Sequence, residues 1–200
     1  MCIRDRLTGG GGVAPGRRRA ALLGHLTRAR QLLAIDKTDA AIDFVDGAID
    51  QGEKVLVFSC FDAPLQRMAK AFGNRAVLLT GRTPAARRQD LVDRFQTDDT
   101  VRVFLANIVA GGVGLTLTAA TQVVFNDLDW VPANHWQAED RAYRIGQTRT
   151  VQVTYLVGTP SIDDFVQMVL DTKSRLVEAV IDGGVLSAGA EEDVLAVLER

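Results

Sequence analysis

The feature that most constrains the fold is an alternation of short apolar runs with amphipathic stripes. Residues 54–58 (KVLVF), 76–79 (AVLL), 101–105 (VRVFL), 122–125 (QVVF) and 151–157 (VQVTYLV) are too short for stable helices. Short apolar runs bounded by turn residues read as buried parallel strands. Between them lie helical stripes: Ala41, Phe44, Val45, Ala48 and Ile49, then Leu65, Met68, Ala69 and Phe72, then Leu91, Val92 and Phe95. Strands alternating with helices of this length predict an α/β fold, a parallel sheet with helices on both faces. The punctuation agrees. Thr38 caps and Gly52 ends the first stripe, and Gly73 ends the second. Thr83 caps a helix that begins at Pro84, and a helix opened by Pro132 runs to Gly146.

The chain divides on the same signals. Residues 1–16 are glycine-rich and aperiodic, a disordered or non-native segment. Residues 17–36 form a leading helix carrying Leu22, Leu23, Leu26, Leu32 and Leu33. Residues 37–158 hold the sheet. Residues 159–200 are a helical extension: a helix over 159–182 with a Ser161/Asp164 capping box, a break at Gly183-Gly184, and a short helix over 191–199.

Composition excludes more than it selects. A net charge of −2 gives no bulk signature of nucleic-acid binding, so any such contact is local. Cys2 and Cys60 lack framework spacing, which points to a reducing compartment. His25 and His135 without paired cysteines form no zinc pattern, and no metal site is expected. No stretch reaches 18 apolar residues, so no membrane contact is expected, and the N-terminus lacks the apolar core of a signal peptide.

The chemistry is concentrated in residues 101–147. Ser59, Thr80-Gly81, the glycine turn Gly111, Gly112 and Gly114, and the Asp127, Asp129, Trp130 segment all follow strand ends. Ligands in open parallel sheets bind at that edge. On a helix from Pro132, Gln137, Arg141 and Arg144 share one face. Paired guanidinium forks are planar, always charged and bidentate, which suits triphosphate oxygens. The competing reading is a solvated face with an Asp140–Arg144 ion pair. No GxxxxGK[ST] occurs, so the main triphosphate cradle is missing. Asp127 and Asp129 are read as orienting backbone and arginines rather than holding magnesium.

These stretches resemble a known family. QAEDRAYRIGQ is similar to motif VI of the superfamily 2 helicases, in the form found in Swi/Snf-type DNA translocases. AGGVGLTLTAATQVVFNDLDWVP resembles motif V and the segment after it, LTGRTPAARRQDLVDRFQ the preceding glycine-and-arginine motif, and KVLVFSCF motif IV. The match runs from about 37 to 183 and looks closest to annealing-helicase-like and bacterial members.

The resemblance implies a second RecA-like lobe. It would supply arginine fingers to ATP with Mg2+, both held mainly by a first RecA-like lobe of the same polypeptide. By position, Arg141 and Arg144 would be the fingers, with Gly112, Gly114, Thr116, Gln137 and Asp140 on the nucleotide side. Ser59, Thr80, Gly81, Asn107 and Gly111 would touch the backbone of double-stranded DNA. Thr116, Thr80 and Asn107-Ile108 depart from the commonest family residues, which loosens the DNA contacts more than the fingers. Arg88 matches a family arginine with a structural role. The lobe alone would hydrolyse no ATP, and the compartment would be nuclear in a eukaryote or the nucleoid-containing cytoplasm in a bacterium. The alternatives are a lobe of a strand-separating helicase and a free-standing, non-catalytic nucleic-acid-binding or regulatory module.

Overall fold

The computed structural model describes residues 15–111 and 114–181, without the side chains of 15–20, 111 and 178–181. Gly112, residues 1–14, the Gly183-Gly184 break and the helix expected over 191–199 lie outside the described residues.

Five strands form one parallel sheet: β1 (Val55–Ser59), β2 (Ala76–Leu79), β3 (Val103–Asn107), β4 (Gln122–Phe125) and β5 (Gln152–Tyr155), in the order β2-β3-β1-β4-β5. Each coincides with an apolar run to within a few residues. Among the described residues seven α-helices accompany them: α1 (Pro15–Asp36), α2 (Thr38–Asp50), α3 (Asp62–Phe72), α4 (Ala85–Thr97), α5 (Ile108–Gly111), α6 (Pro132–Glu139) and α7 (Ile162–Ile181).

The pleat sorts the sheet's side chains into two cores. Leu56, Phe58, Phe104, Val123 and Phe125 point to the face covered by Val92 and Phe95 of α4 and Ala138 of α6. Val55, Val57, Val103, Leu105 and Val124 point to the face covered by Ala41 and Val45 of α2 and Leu65, Met68 and Phe72 of α3. Both faces of β1 and β3 are dry, which is why their runs are continuously apolar rather than alternating. Truncating a fully buried phenylalanine such as Phe58 would cost about 3–5 kcal/mol. The chain leaves β1 toward β3 and β2, then crosses back to lay β4 and β5 on the other side. The winding reverses at the β1–β4 junction, where such sheets open a crevice.

Local readings needed four corrections. α1 begins at Pro15, inside the segment expected to be disordered, and Leu22, Leu23 and Leu32 on it are exposed while Arg30 and Ala34 are buried. Thr38 does not cap α2: its buried hydroxyl donates to the Ala34 carbonyl, and Lys37 is already helical, so α1 runs almost directly into α2. Thr83 does not cap α4, because its hydroxyl accepts the Thr80 N–H at 3.0 Å and closes the 80–83 turn instead. The helix from Pro132 stops at Glu139 rather than at Gly146. There the Arg141 carbonyl accepts the Leu117 N–H at 2.9 Å, and the Ala142 side chain is drawn into the core. Helical-type bonds give out after Tyr143, and tertiary bonds hold the residues beyond.

The capping box of α7 is present. The Asp163 N–H donates to Ser161 Oγ at 3.0 Å, and the Ser161 N–H donates to Asp164 Oδ2 at 2.8 Å. α7 packs back on the body: Lys37 Nζ lies 2.5 Å from Asp163, Lys173 Nζ donates to the Trp130 carbonyl at 2.8 Å, and Phe165 meets Trp130 edge to face.

Candidate functional site

The carboxyl edge of the sheet carries the predicted residues in strand order. Thr80 and Gly81 follow β2, Asn107 ends β3, Ser59 ends β1 and Asp127 follows β4. Ser59 is fully buried. Its hydroxyl donates to Asp127 Oδ2 at 2.5 Å and accepts the Phe61 N–H at 3.0 Å. The Cys60 N–H donates to Asp127 Oδ1 at 2.9 Å. Asp127, itself 3% exposed, therefore bridges the β1–β4 crevice and fixes the turn after β1. Its oxygens are turned to backbone and hydroxyl, as expected for an orienting carboxylate, but they reach neither Arg141 nor Arg144.

Asp129 orients the next corner. Its Oδ1 accepts the Val131 N–H at 2.8 Å and the Asn134 side-chain amide at 3.0 Å, shaping the entry to α6. His135 is buried, and its Nε2 accepts the Asp129 N–H at 3.0 Å. Burial lowers the His135 pKa, against weaker opposing effects from Asp129, Glu139 and Asp127. Behind this corner, Arg30 of α1 reaches the Leu128 carbonyl and lies 4.8 Å over the Trp130 ring. Sequence reading gave Arg30 no role; a lone arginine on a leading helix carries no local signal of such a contact.

On the β2–β3 side, Gly81, Arg82, Arg88, Asn107, Val109 and Asp62 line an open groove. Asn107 Oδ1 accepts the Val109 N–H at 3.1 Å, and its amide donates to the Cys60 carbonyl at 3.2 Å. The Thr80 hydroxyl accepts the Arg82 N–H at 3.3 Å. Arg88 Nε donates to the Thr83 carbonyl at 3.3 Å, which supports the structural role expected for it and still leaves the residue on the groove wall. Arg82 was not singled out in the sequence.

The arginines lie elsewhere on this edge, against the glycine turn. Arg144 Nη1 donates to Thr116 Oγ1 at 3.0 Å and to the Leu115 carbonyl at 3.2 Å, and lies 3.5 Å from the Gly114 carbonyl. Arg141 Nη1 lies 3.5 Å from the same Leu115 carbonyl, while its Nε donates to the Gln137 carbonyl at 2.9 Å. Gly114 has φ 59°, the left-handed region open to glycine. Partial burial and then the Arg144 charge push the Arg141 pKa down, and Asp140 opposes them. Arg144 is exposed beside the Arg141 charge, an arrangement open to an anion on the Arg144 side. Together with Asp140, Tyr143 and Gln147 they line a second open cleft. Arg141, Arg144, Gly114, Thr116, Asp140 and the Gln137 backbone are thus brought together. Ser59, Thr80, Gly81 and Asn107 belong to the other strand ends. Among the described residues, no group of three or more His, Cys, Asp or Glu side chains is placed to hold a metal ion, and no helix is long and apolar enough to cross a membrane.

Comparison with known proteins identifies the family. The family model described as "Helicase conserved C-terminal domain" matches residues 36–146. The "DNA annealing helicase and endonuclease ZRANB3" of Mus musculus is 35% identical over 176 residues, covering 86% of this chain and 16% of that protein. A Danio rerio protein, "SWI/SNF-related matrix-associated actin-dependent regulator of chromatin subfamily A containing DEAD/H box 1A", is 40% identical over 130 residues, 64% of this chain and 13% of that protein. The chain thus spans about a sixth or less of these relatives. The solved "C-terminal part of Fun30 ATPase domain" superposes with a TM-score of 0.63 at 29% identity, covering 77% of this chain and 47% of that one.

Proposed function

Because the chain belongs to the helicase conserved C-terminal domain family, in its Swi/Snf-type branch, we propose that it is the second RecA-like lobe of an ATP-dependent translocase on double-stranded DNA. The observation that carries the reading is the convergence of Arg141 and Arg144 on residues 114–116 at the carboxyl edge. ATP, with Mg2+, supplies the transferable γ-phosphoryl group and is held mainly by a first lobe. The residues here fit an anionic partner: exposed Arg144 now donates to neutral acceptors, Thr116 Oγ1 at 3.0 Å and the Leu115 carbonyl at 3.2 Å, contacts that phosphate oxygens would better satisfy.

Arg144 is the exposed member and would meet the γ-phosphate. Arg141, anchored on the Gln137 carbonyl, holds the second position, and Asp140 tempers its charge. A finger of this kind stabilises the charge on the transferring group and is worth about 10³–10⁵ in rate. Because Thr116, Gly114 and Arg144 are bonded, a shift of the guanidinium on hydrolysis is felt in the turn after α5. That turn leads back to Asn107 and the groove with Gly81 and Arg82. Thr80, Gly81, Asn107, Gly111 and the basic pair Arg82 and Arg88 grip the DNA backbone without reading sequence. Ser59 is buried, so its part is to set the turn with Asp127. The division into a leading helix, a lobe over 37–158 and a helical brace from 159 fits the placement of α7 across α1 and α6. The relatives named above come from eukaryotes, which favours the nuclear compartment.

The test uses a polypeptide carrying both lobes. Double-stranded DNA should stimulate its ATP hydrolysis, and it should displace a third strand from a triplex without unwinding a plain duplex. Unwinding with a free single-stranded tail would favour the strand-separating reading; hydrolysis indifferent to DNA would remove the translocase reading.

A further inference from the structure

We propose that Gln147 is a positioning residue whose carboxamide sets where Arg144 and Arg141 present their guanidiniums. The proposal rests on the arginine reading above and gives a role to the last residue of the QAEDRAYRIGQ run.

Past Glu139 helical-type bonds persist only as far as Tyr143, whose N–H donates to the Glu139 carbonyl at 3.1 Å. The Arg144 N–H reaches only the Ala142 carbonyl at 3.1 Å, a two-residue span. Two further ties hold residues 141–147. At one end the Leu117 N–H donates to the Arg141 carbonyl. At the other, Gln147 Nε2 donates its two hydrogens to the Thr118 carbonyl at 2.9 Å and the Ala120 carbonyl at 2.8 Å, with a longer approach to Ala142 at 3.4 Å. Gln147 Oε1 accepts the Arg149 N–H at 3.0 Å, and the Gln147 N–H donates to the Arg144 carbonyl at 2.9 Å. Both amide hydrogens are used, and every partner of the carboxamide is backbone.

The geometry makes this more than a filled turn. Both ties end on residues 117–120, directly after the residues 114–116 that receive the guanidiniums. The same turn is fixed from below by Gln96 of α4, which accepts the Ala119 N–H at 2.8 Å and donates to Thr118 Oγ1 at 3.2 Å. Arg149 continues the line to Glu53 at the amino end of β1, with 2.5 Å between the charged atoms. The finger segment and residues 117–120 are thereby clamped to one support, and Gln147 is the clamp whose own N–H bonds the Arg144 carbonyl. A small displacement at a reacting centre can cost about 10²-fold in rate.

Gln147→Glu keeps size but sets an acceptor against two carbonyls; Gln147→Met keeps length and removes only the hydrogen bonds. In the two-lobe polypeptide, kcat for DNA-stimulated hydrolysis should fall about 10- to 100-fold in both. KM for ATP and Kd for duplex DNA should stay within about threefold, the signature of a lost transition-state contact. Unchanged kcat in both variants, beside an inactive Arg144→Ala control, overturns the proposal alone. Parallel loss of kcat and both affinities in Gln147→Met overturns it in favour of a purely structural role. A fully active Arg144→Ala control would instead remove the arginine reading, and this proposal with it.

Discussion

Arg144 Nη1 stands 3.0 Å from Thr116 Oγ1, across 28 residues of sequence. The contact joins the turn after α6 to the glycine turn after α5, two segments that follow different strands. It is exposed, so its own contribution to stability is small. Its value lies in placing a cation beside a hydroxyl and two carbonyls at the sheet's carboxyl edge, with the Arg141 charge alongside.

In the two-lobe polypeptide, Arg144→Ala should reduce ATP hydrolysis by about 10³-fold or more. ATP affinity, measured by equilibrium binding of a fluorescent analogue, should change little. Arg144→Lys keeps charge but not the planar fork and should recover only part of the rate.

Arg82 stands on the rim of the Gly81–Asn107 groove and is exposed. Arg82→Ala should weaken duplex binding to the same degree on unrelated sequences. The slope of log K against log salt should become shallower by about 1, as for one lost phosphate contact. A sequence-dependent loss would contradict a backbone grip.

Asp127→Ala leaves the Cys60 N–H without its acceptor and the buried Ser59 hydroxyl with only the Phe61 carbonyl at 3.1 Å. One unsatisfied buried group costs about 1–3 kcal/mol, so a loss of that size is expected in urea denaturation. Asp127→Asn keeps one acceptor oxygen and should lose less.

Lys37 and Asp163 form an ion pair with side chains 10% and 4% exposed, and Lys37 also donates to the Leu156 carbonyl at 2.6 Å. Removing one partner leaves a buried charge alone. Lys37→Ala should destabilise by about 3–5 kcal/mol. Limited proteolysis should then cut first at the start of α7, which the pair holds to the α1–α2 junction.

His135 gives a pH dependence whose sign follows from burial. Its folded-state pKa lies below the ordinary 6.5, so the unfolded chain binds the proton more readily. Its contribution to stability is present above pH 6.5 and is lost as pH falls toward the folded value. The urea midpoint of the wild type should drop in that window. His135→Gln, which does not titrate, should show a shallower drop.

Much of this was legible in the chain. The five apolar runs marked the strands because a strand dry on both faces must be apolar throughout. The stripes with Met68, Phe72, Val92 and Phe95 marked the covering helices. The DRAYRIGQ segment identified the arginines. What failed was local and has one cause: short polar side chains and helix ends choose partners by tertiary proximity. Thr38 and Thr83 read as caps and bond elsewhere; Ser59 read as a surface contact and is buried under Asp127.

The sequence by itself determined the fold class, the strand positions and the family, since these rest on periodicity and on residue identity in motifs. The tertiary structure alone decided how Arg141 and Arg144 come together. A shared helical face was expected, but α6 ends at Glu139, helical-type bonds give out after Tyr143, and the Arg141 carbonyl and the Gln147 carboxamide bond residues 117–120. It also decided that Arg30, from a helix before the matched segment, is buried against Trp130. No spacing rule records such contacts, because they join residues that only the folding of the sheet brings within reach.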